Sequence, residues 1–108
     1  MKLIWTDRAR RDLLNIGRFI ARDNHRAARV WIERLRERAH KAAETPLSGR
    51  VVPERADLNV REVFLRNYRI VYRVFKDTIH VLTVFEGHRL FPQDAMSDFY
   101  KTDTTTDP

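Results

Sequence analysis

The sequence contains no cysteine, so neither a disulfide framework nor a thiolate metal site is available to it. Its longest apolar stretch, IHVLTVF at residues 79–85, is strand-sized and falls far short of the ~18 residues a membrane helix requires. The opening residues, MKLIWTDRARR, lack the apolar core and small-residue cleavage site of a signal peptide. The expected location is therefore the cytoplasm, with no membrane partner. Glycine is scarce, and Gly17, Gly49 and Gly87 stand too far apart to make a phosphate loop. The histidines His25, His40, His80 and His88 have no paired spacing suited to zinc, so no metal and no other cofactor is expected. Acidic residues are thin in the first half. Residues 1–50 carry 13 Lys/Arg against 6 Asp/Glu, residues 51–90 carry 7 against 5, and residues 91–108 carry 1 against 4. The net charge of +6 thus has its source in the N-terminal half. Such a surface draws polyanions, either nucleic acid or an acidic protein segment, through fields that salt weakens. An arginine-rich, solvated helical face accounts for the same charge without any partner.

What is present fits one domain, since 108 residues can build one core but not two ordinary ones. Residues 1–100 are expected to form it, with 101–108 a polar, disordered tail. Residues 2–6, KLIWT, read as a short strand, and Thr6-Asp7 supplies a helix cap and a first-turn acid. Ala9, Leu13, Ile16 and Ile20 then share one face of a helix running to about Arg22, with Arg8, Arg11, Asp12, Asn15, Arg18 and Arg22 largely on the other side. After Asp23-Asn24-His25, a second helix carries an apolar stripe of Ala28, Trp31, Ile32, Leu35, Ala39 and Ala42. So short a turn makes the two helices antiparallel. Residues 50–59, with Pro53, read as a connecting loop that can touch the sheet.

Three strands follow, at 60–65, 68–75 and 79–85, separated by hairpin-sized gaps. The order β-α-α-β-β-β predicts an α+β fold in which two antiparallel N-terminal helices pack on one face of a four-stranded antiparallel sheet. Alternation in the central strand puts Ile70, Tyr72 and Val74 on one face and Arg69, Val71, Arg73 and Phe75 on the other. Two unpaired guanidiniums cannot sit in a dry core. The helices are therefore expected to cover the Ile70 face, leaving the Arg69 face open and, if Arg61 shares it, basic and concave. Arg61, Arg69, Arg73, His88 and Arg89 are the candidate target- or partner-binding residues. The last two follow the final strand at Gly87, where the backbone turns and presents side chains. Arginines that alternate along a solvated sheet face and pair with neighbours such as Glu62 are the purely structural account of the same pattern.

With this element order, the strand segment V-R-E-V, the central N-Y-R-I-V-Y-R-V and the terminal V-F-E-G-H-R, the chain resembles the RelE/ParE superfamily of toxins from type II toxin–antitoxin systems over residues 2 to about 95. The resemblance implies a toxin that inhibits growth and serves plasmid stabilisation, neutralised by a cognate antitoxin whose extended, acidic and amphipathic segment wraps it in a hetero-oligomer. It also implies one of two targets, DNA gyrase for ParE-like members or messenger RNA on the ribosome for RelE-like ones. RNA cleavage would fall to Arg61, Arg69, His88 and Arg89. Yet Arg61 stands near where RNA-cleaving members use a lysine, and arginine is a very poor base. Their C-terminal tyrosine also has no counterpart in its place, since Arg89 is followed by LFPQDAM and Tyr100 lies too far along. Both departures point to the ParE branch and to a non-catalytic gyrase inhibitor. The alternatives that stay open are an mRNA endoribonuclease and a non-toxic interaction module that retains the fold.

Overall fold

The computed structural model describes residues 1–87 and 91. His88, Arg89 and the 101–108 tail lie outside the described residues. The chain runs β1 (Lys2–Trp5), α1 (Asp7–Ala21), α2 (His25–Glu44), a 3₁₀ turn (Pro46–Ser48), β2 (Arg50–Val51), β3 (Val60–Leu65), β4 (Tyr68–Val74) and β5 (Thr78–Glu86).

Both helices begin where the sequence places a cap. The Thr6 hydroxyl accepts from the Ala9 amide at 3.1 Å and donates to the Val81 carbonyl at 2.7 Å, so one side chain starts α1 and ties it to β5. The Asn24 side chain accepts from the Ala27 amide at 3.0 Å to start α2. The α2 stripe is rich in alanine. Ala39, Ala42 and Ala43 are buried around Leu35, and small side chains let the helix lie close to the sheet. Against them pack Ile70, Tyr72, Ile79, Val81 and Val84 from the sheet and Ala9 and Leu13 from α1. Tyr72 is fully buried, and its hydroxyl donates to the Pro46 carbonyl at 2.6 Å.

The α+β class and the paired helices are as expected, but the sheet has five strands in the order β1-β5-β4-β3-β2. The additional strand, β2, pairs antiparallel with β3 through only Arg50 and Val51, too short a segment to leave an alternation in the sequence. Nor is the sheet wholly antiparallel. β1 runs parallel to β5, with Leu3 opposite Ile79, and the long connection that a parallel pair requires is the whole intervening chain, the helical hairpin followed by β2, β3 and β4. Between β4 and β5 the register slips. Val71 faces Thr83 and Tyr72 faces Val81, leaving Leu82 as the extra residue of a bulge. Asp12 of α1 receives the Val84 amide at 3.0 Å and the Thr83 hydroxyl at that bulge. It therefore turns inward, away from the outer polar set in which the helical periodicity placed it.

The Arg69 face of the sheet is not open. Arg69 is only 5% exposed, and Val71 is fully buried. The connection between β2 and β3 folds across this face, where Val52, Val60, Val71, Leu82, Phe85 and Phe91 make a second, smaller core. The physical objection to burying Arg69 assumed that the guanidinium had no partner, and the covering loop brings one.

Candidate functional site

Arg69 is the centre of a charged cluster beneath that loop. Its Nε donates to Glu62 Oε1 at 2.6 Å, and its Nη1 and Nη2 donate to the two oxygens of Glu54 at 2.9 and 2.8 Å. Arg50 Nε donates to the other oxygen of Glu62 at 2.8 Å. Two cations and two carboxylates therefore sum to zero charge. The Glu62 side chain is wholly buried, whereas those of Glu54 and Arg50 reach solvent, so the cluster runs from the second core to the surface. The guanidinium also lies 5.0 Å from the centre of the Phe85 ring and 5.8 Å from that of Phe91. Hydrogen bonds from Arg69 hold the Glu54 carboxyl below the usual carboxylate range, and Glu54 and Glu62 together raise the Arg69 pKa further still. Arg69 itself stays protonated at any working pH.

The other candidates are placed differently. Arg73 shares the face of Arg69, with its Nη1 3.3 Å from Asp57 of the covering loop and its guanidinium over the Phe75 ring. Arg61 lies directly opposite Tyr72, hence on the helix-covered side of the sheet, not beside Arg69. Its guanidinium is held by main-chain carbonyls, with Nε donating to Leu58 at 2.9 Å and Nη1 to Leu47 and Gly49 at 2.9 and 3.0 Å. The structure thus brings Arg69 and Arg73 under one loop and sends Arg61 to the opposite face. His88 and Arg89 fall outside the described residues. Sequence reasoning missed Glu54 and Asp57, the loop acids that meet these arginines. The one local signal was their presence in a segment otherwise without periodicity.

The helical hairpin borders several concave surfaces. Between α1 and α2 lies a shallow, mainly apolar groove of about 890 Å³, with Leu14, Gly17, Ala28 and Ile32 in it and Arg18 and Arg29 beside them. Between α1 and the ends of β4 and β5 lies a more polar cleft of about 630 Å³, lined among others by Asn15, Arg18, Arg22, Tyr68 and Glu86. Among the described residues no group of three or more His, Cys, Asp or Glu side chains could hold a metal ion. No described helix is long and apolar enough to cross a membrane.

Residues 3–91 match the family model described as ParE toxin of type II toxin-antitoxin system, parDE. The chain belongs to the ParE toxin family. A Sinorhizobium fredii protein named "Putative toxin Y4kP" is 37% identical over 94 residues, which span 85% of this chain and 94% of that protein. Among solved structures, a chain of the chromosomal ParDE TA system from P. aeruginosa superposes with a TM-score of 0.67 at 21% identity, covering 80% of this chain and 95% of that one. At that identity the likeness speaks to the fold alone, and the ParE fold is the one described above.

Proposed function

We propose that this ParE-type toxin inhibits growth by poisoning DNA gyrase without hydrolytic chemistry of its own, and that a cognate antitoxin neutralises it through an extended acidic segment. The observation that carries the choice of target is the state of the arginines. Cleavage of RNA requires cations that converge on one phosphorane and a base to take the 2′-hydroxyl proton. Arg69 is buried with its donors directed at two glutamates, and Arg61 is tethered to carbonyls on the other side of the sheet. The two cannot meet at a single phosphate without dismantling the fold. An antitoxin segment that is both acidic and amphipathic suits the mainly apolar groove between the helices and the arginines beside it.

The test is supercoiling by gyrase of the native host in the presence of purified toxin. Inhibition with accumulation of cleaved DNA is the expected outcome. Uninhibited supercoiling at micromolar toxin, with new 5′ ends on ribosome-bound messages after induction, would transfer the activity to RNA.

A further inference from the structure

We propose that the tip of the helical hairpin is a contact surface for the phosphodiester backbone of duplex DNA. Residues 13–32 carry four arginines, Arg18, Arg22, Arg26 and Arg29, against a single acid, Asp23. All four are exposed. Among the described residues none of them is in an ion pair. Arg18 and Arg29 line the same interhelical groove, Arg18 also lines the adjoining cleft with Arg22, and Arg26 is one helical turn before Arg29 in α2.

Two features set this tip apart from an ordinary solvated helix face. At the start of α1, two of the three arginines are neutralised at helical spacing, Arg8 by Asp12 at 3.0 Å and Arg10 by Asp7 at 3.8 Å, while Arg11 has no ion pair among the described residues. At the tip they are not, and Glu33, one turn beyond Arg29, makes no ion pair with it. Second, the first turn of α2 contains no acid but does contain Arg26. The helix dipole already puts partial positive charge there, where carboxylates are favoured and cations are not. Arg26 departs from the arrangement that best stabilises α2, whereas Arg18 and Arg22 sit at the end of α1, where the dipole favours cations, and a departure such as that of Arg26 is expected where function imposes it.

The chemistry favours phosphates. Guanidinium forks bind phosphate oxygens bidentately. Arg18 and Arg22 are one turn apart, about 6 Å along the axis, and each DNA strand presents a phosphate every ~3.4 Å of helix axis. The one well-exposed aromatic side chain on the hairpin, Phe19, lies beneath Arg22, so base stacking as in a single-strand site is not offered. An acidic peptide seated in the apolar groove would meet Arg18 and Arg29, but Arg22 and Arg26 do not line that groove. The choice of DNA rests on the gyrase reading, whose target acts on duplex DNA.

The experiment titrates the full-length chain against a labelled short DNA duplex, without gyrase, from about 50 to 200 mM salt. Four phosphate contacts predict affinity that falls roughly a hundredfold across that range, a log–log slope of about −3.6. The variant R18Q/R22Q/R26Q/R29Q should keep the wild-type melting temperature and lose most of that slope. R22Q/R26Q, which spares the groove, should lose about half of it. The surface is overturned if the wild type shows no salt-dependent binding, or if both variants bind DNA as the wild type does. It is also overturned if poly-glutamate binds as tightly as DNA and is lost in the same variants, which would assign the tip to an acidic protein segment. Gyrase inhibition by a chain that does not bind DNA sinks this inference alone. DNA binding by a chain that leaves gyrase active sinks the gyrase reading and supports the surface.

Discussion

The two faces of the sheet are covered by different physics. One face packs against α1 and α2 through Leu35, Ala39, Ala42 and the apolar side chains of β4 and β5, and its stability comes from apolar area removed from water. The other is closed by a loop and six apolar residues, with a four-member ion cluster at its margin. The first kind of cover tolerates substitution in proportion to the volume lost. The second depends on every charge having its partner, because a buried ion pair adds little net stability but a buried ion without a partner is costly.

That contrast sets an order of expected effects. Glu62→Ala should be the most damaging, at about 3–5 kcal/mol, since it leaves Arg69 buried with only Glu54. The midpoint of denaturant unfolding, with its slope checked for constancy, measures this. The contrast sharpens if the double replacement Arg69→Met with Glu62→Leu recovers most of the loss, because Glu54 and Arg50 are 40% and 57% exposed at the side chain and can return to water. A double variant no better than Glu62→Ala would mean that the cluster is worth more than its desolvation cost. Leu35→Ala, on the helix-covered face, should cost about 3 kcal/mol through transfer and cavity terms, with no dependence on salt or pH.

Arg61→Met removes a guanidinium shared among three carbonyls and should cost about 1–2 kcal/mol. Toxicity that follows the stability loss is expected. Toxicity abolished in a variant of undiminished stability would return Arg61 to the target-binding residues. The smallest effect should come from Glu54→Gln, read in the acid limb. The folded-state pKa of Glu54 is lowered from 4.5, so its contribution is complete above that value and is lost as the pH falls through the folded pKa. The wild type should therefore lose more stability than the variant below about pH 4.5, and the two curves should run parallel near neutrality. Curves parallel throughout would mean that the Arg69–Glu54 bond adds nothing.

Much of the fold was legible because periodicity is local. The i, i+4, i+7 recurrence of Ala9, Leu13 and Ile16 and the Tyr68–Val74 alternation each announce a face, and Thr6 and Asn24 announce the helix starts. What failed was everything that depends on a partner far along the chain. Asp12 looks like a member of an outer polar row until β5, more than seventy residues later, presents the bulge amide of Val84. Arg61 and Arg69 look like neighbours until the register sets Arg61 against Tyr72 and Arg69 against Phe64.

The sequence alone determined the order of the two helices and of four of the five strands, the helix-facing core, the basic first half and the resemblance to toxins of this superfamily. Those are properties of spacing and composition, which act within a few residues or sum over the whole chain. Only the tertiary structure decided that the Arg69 face is closed, because a guanidinium can be buried only when its acids arrive with it. Glu62 comes from the adjacent strand and Glu54 from a loop without periodicity, and no rule of spacing connects them. The hairpin arginines present the opposite case, since their sequence shows the charge but the folded chain was needed to show that no acid among the described residues answers it.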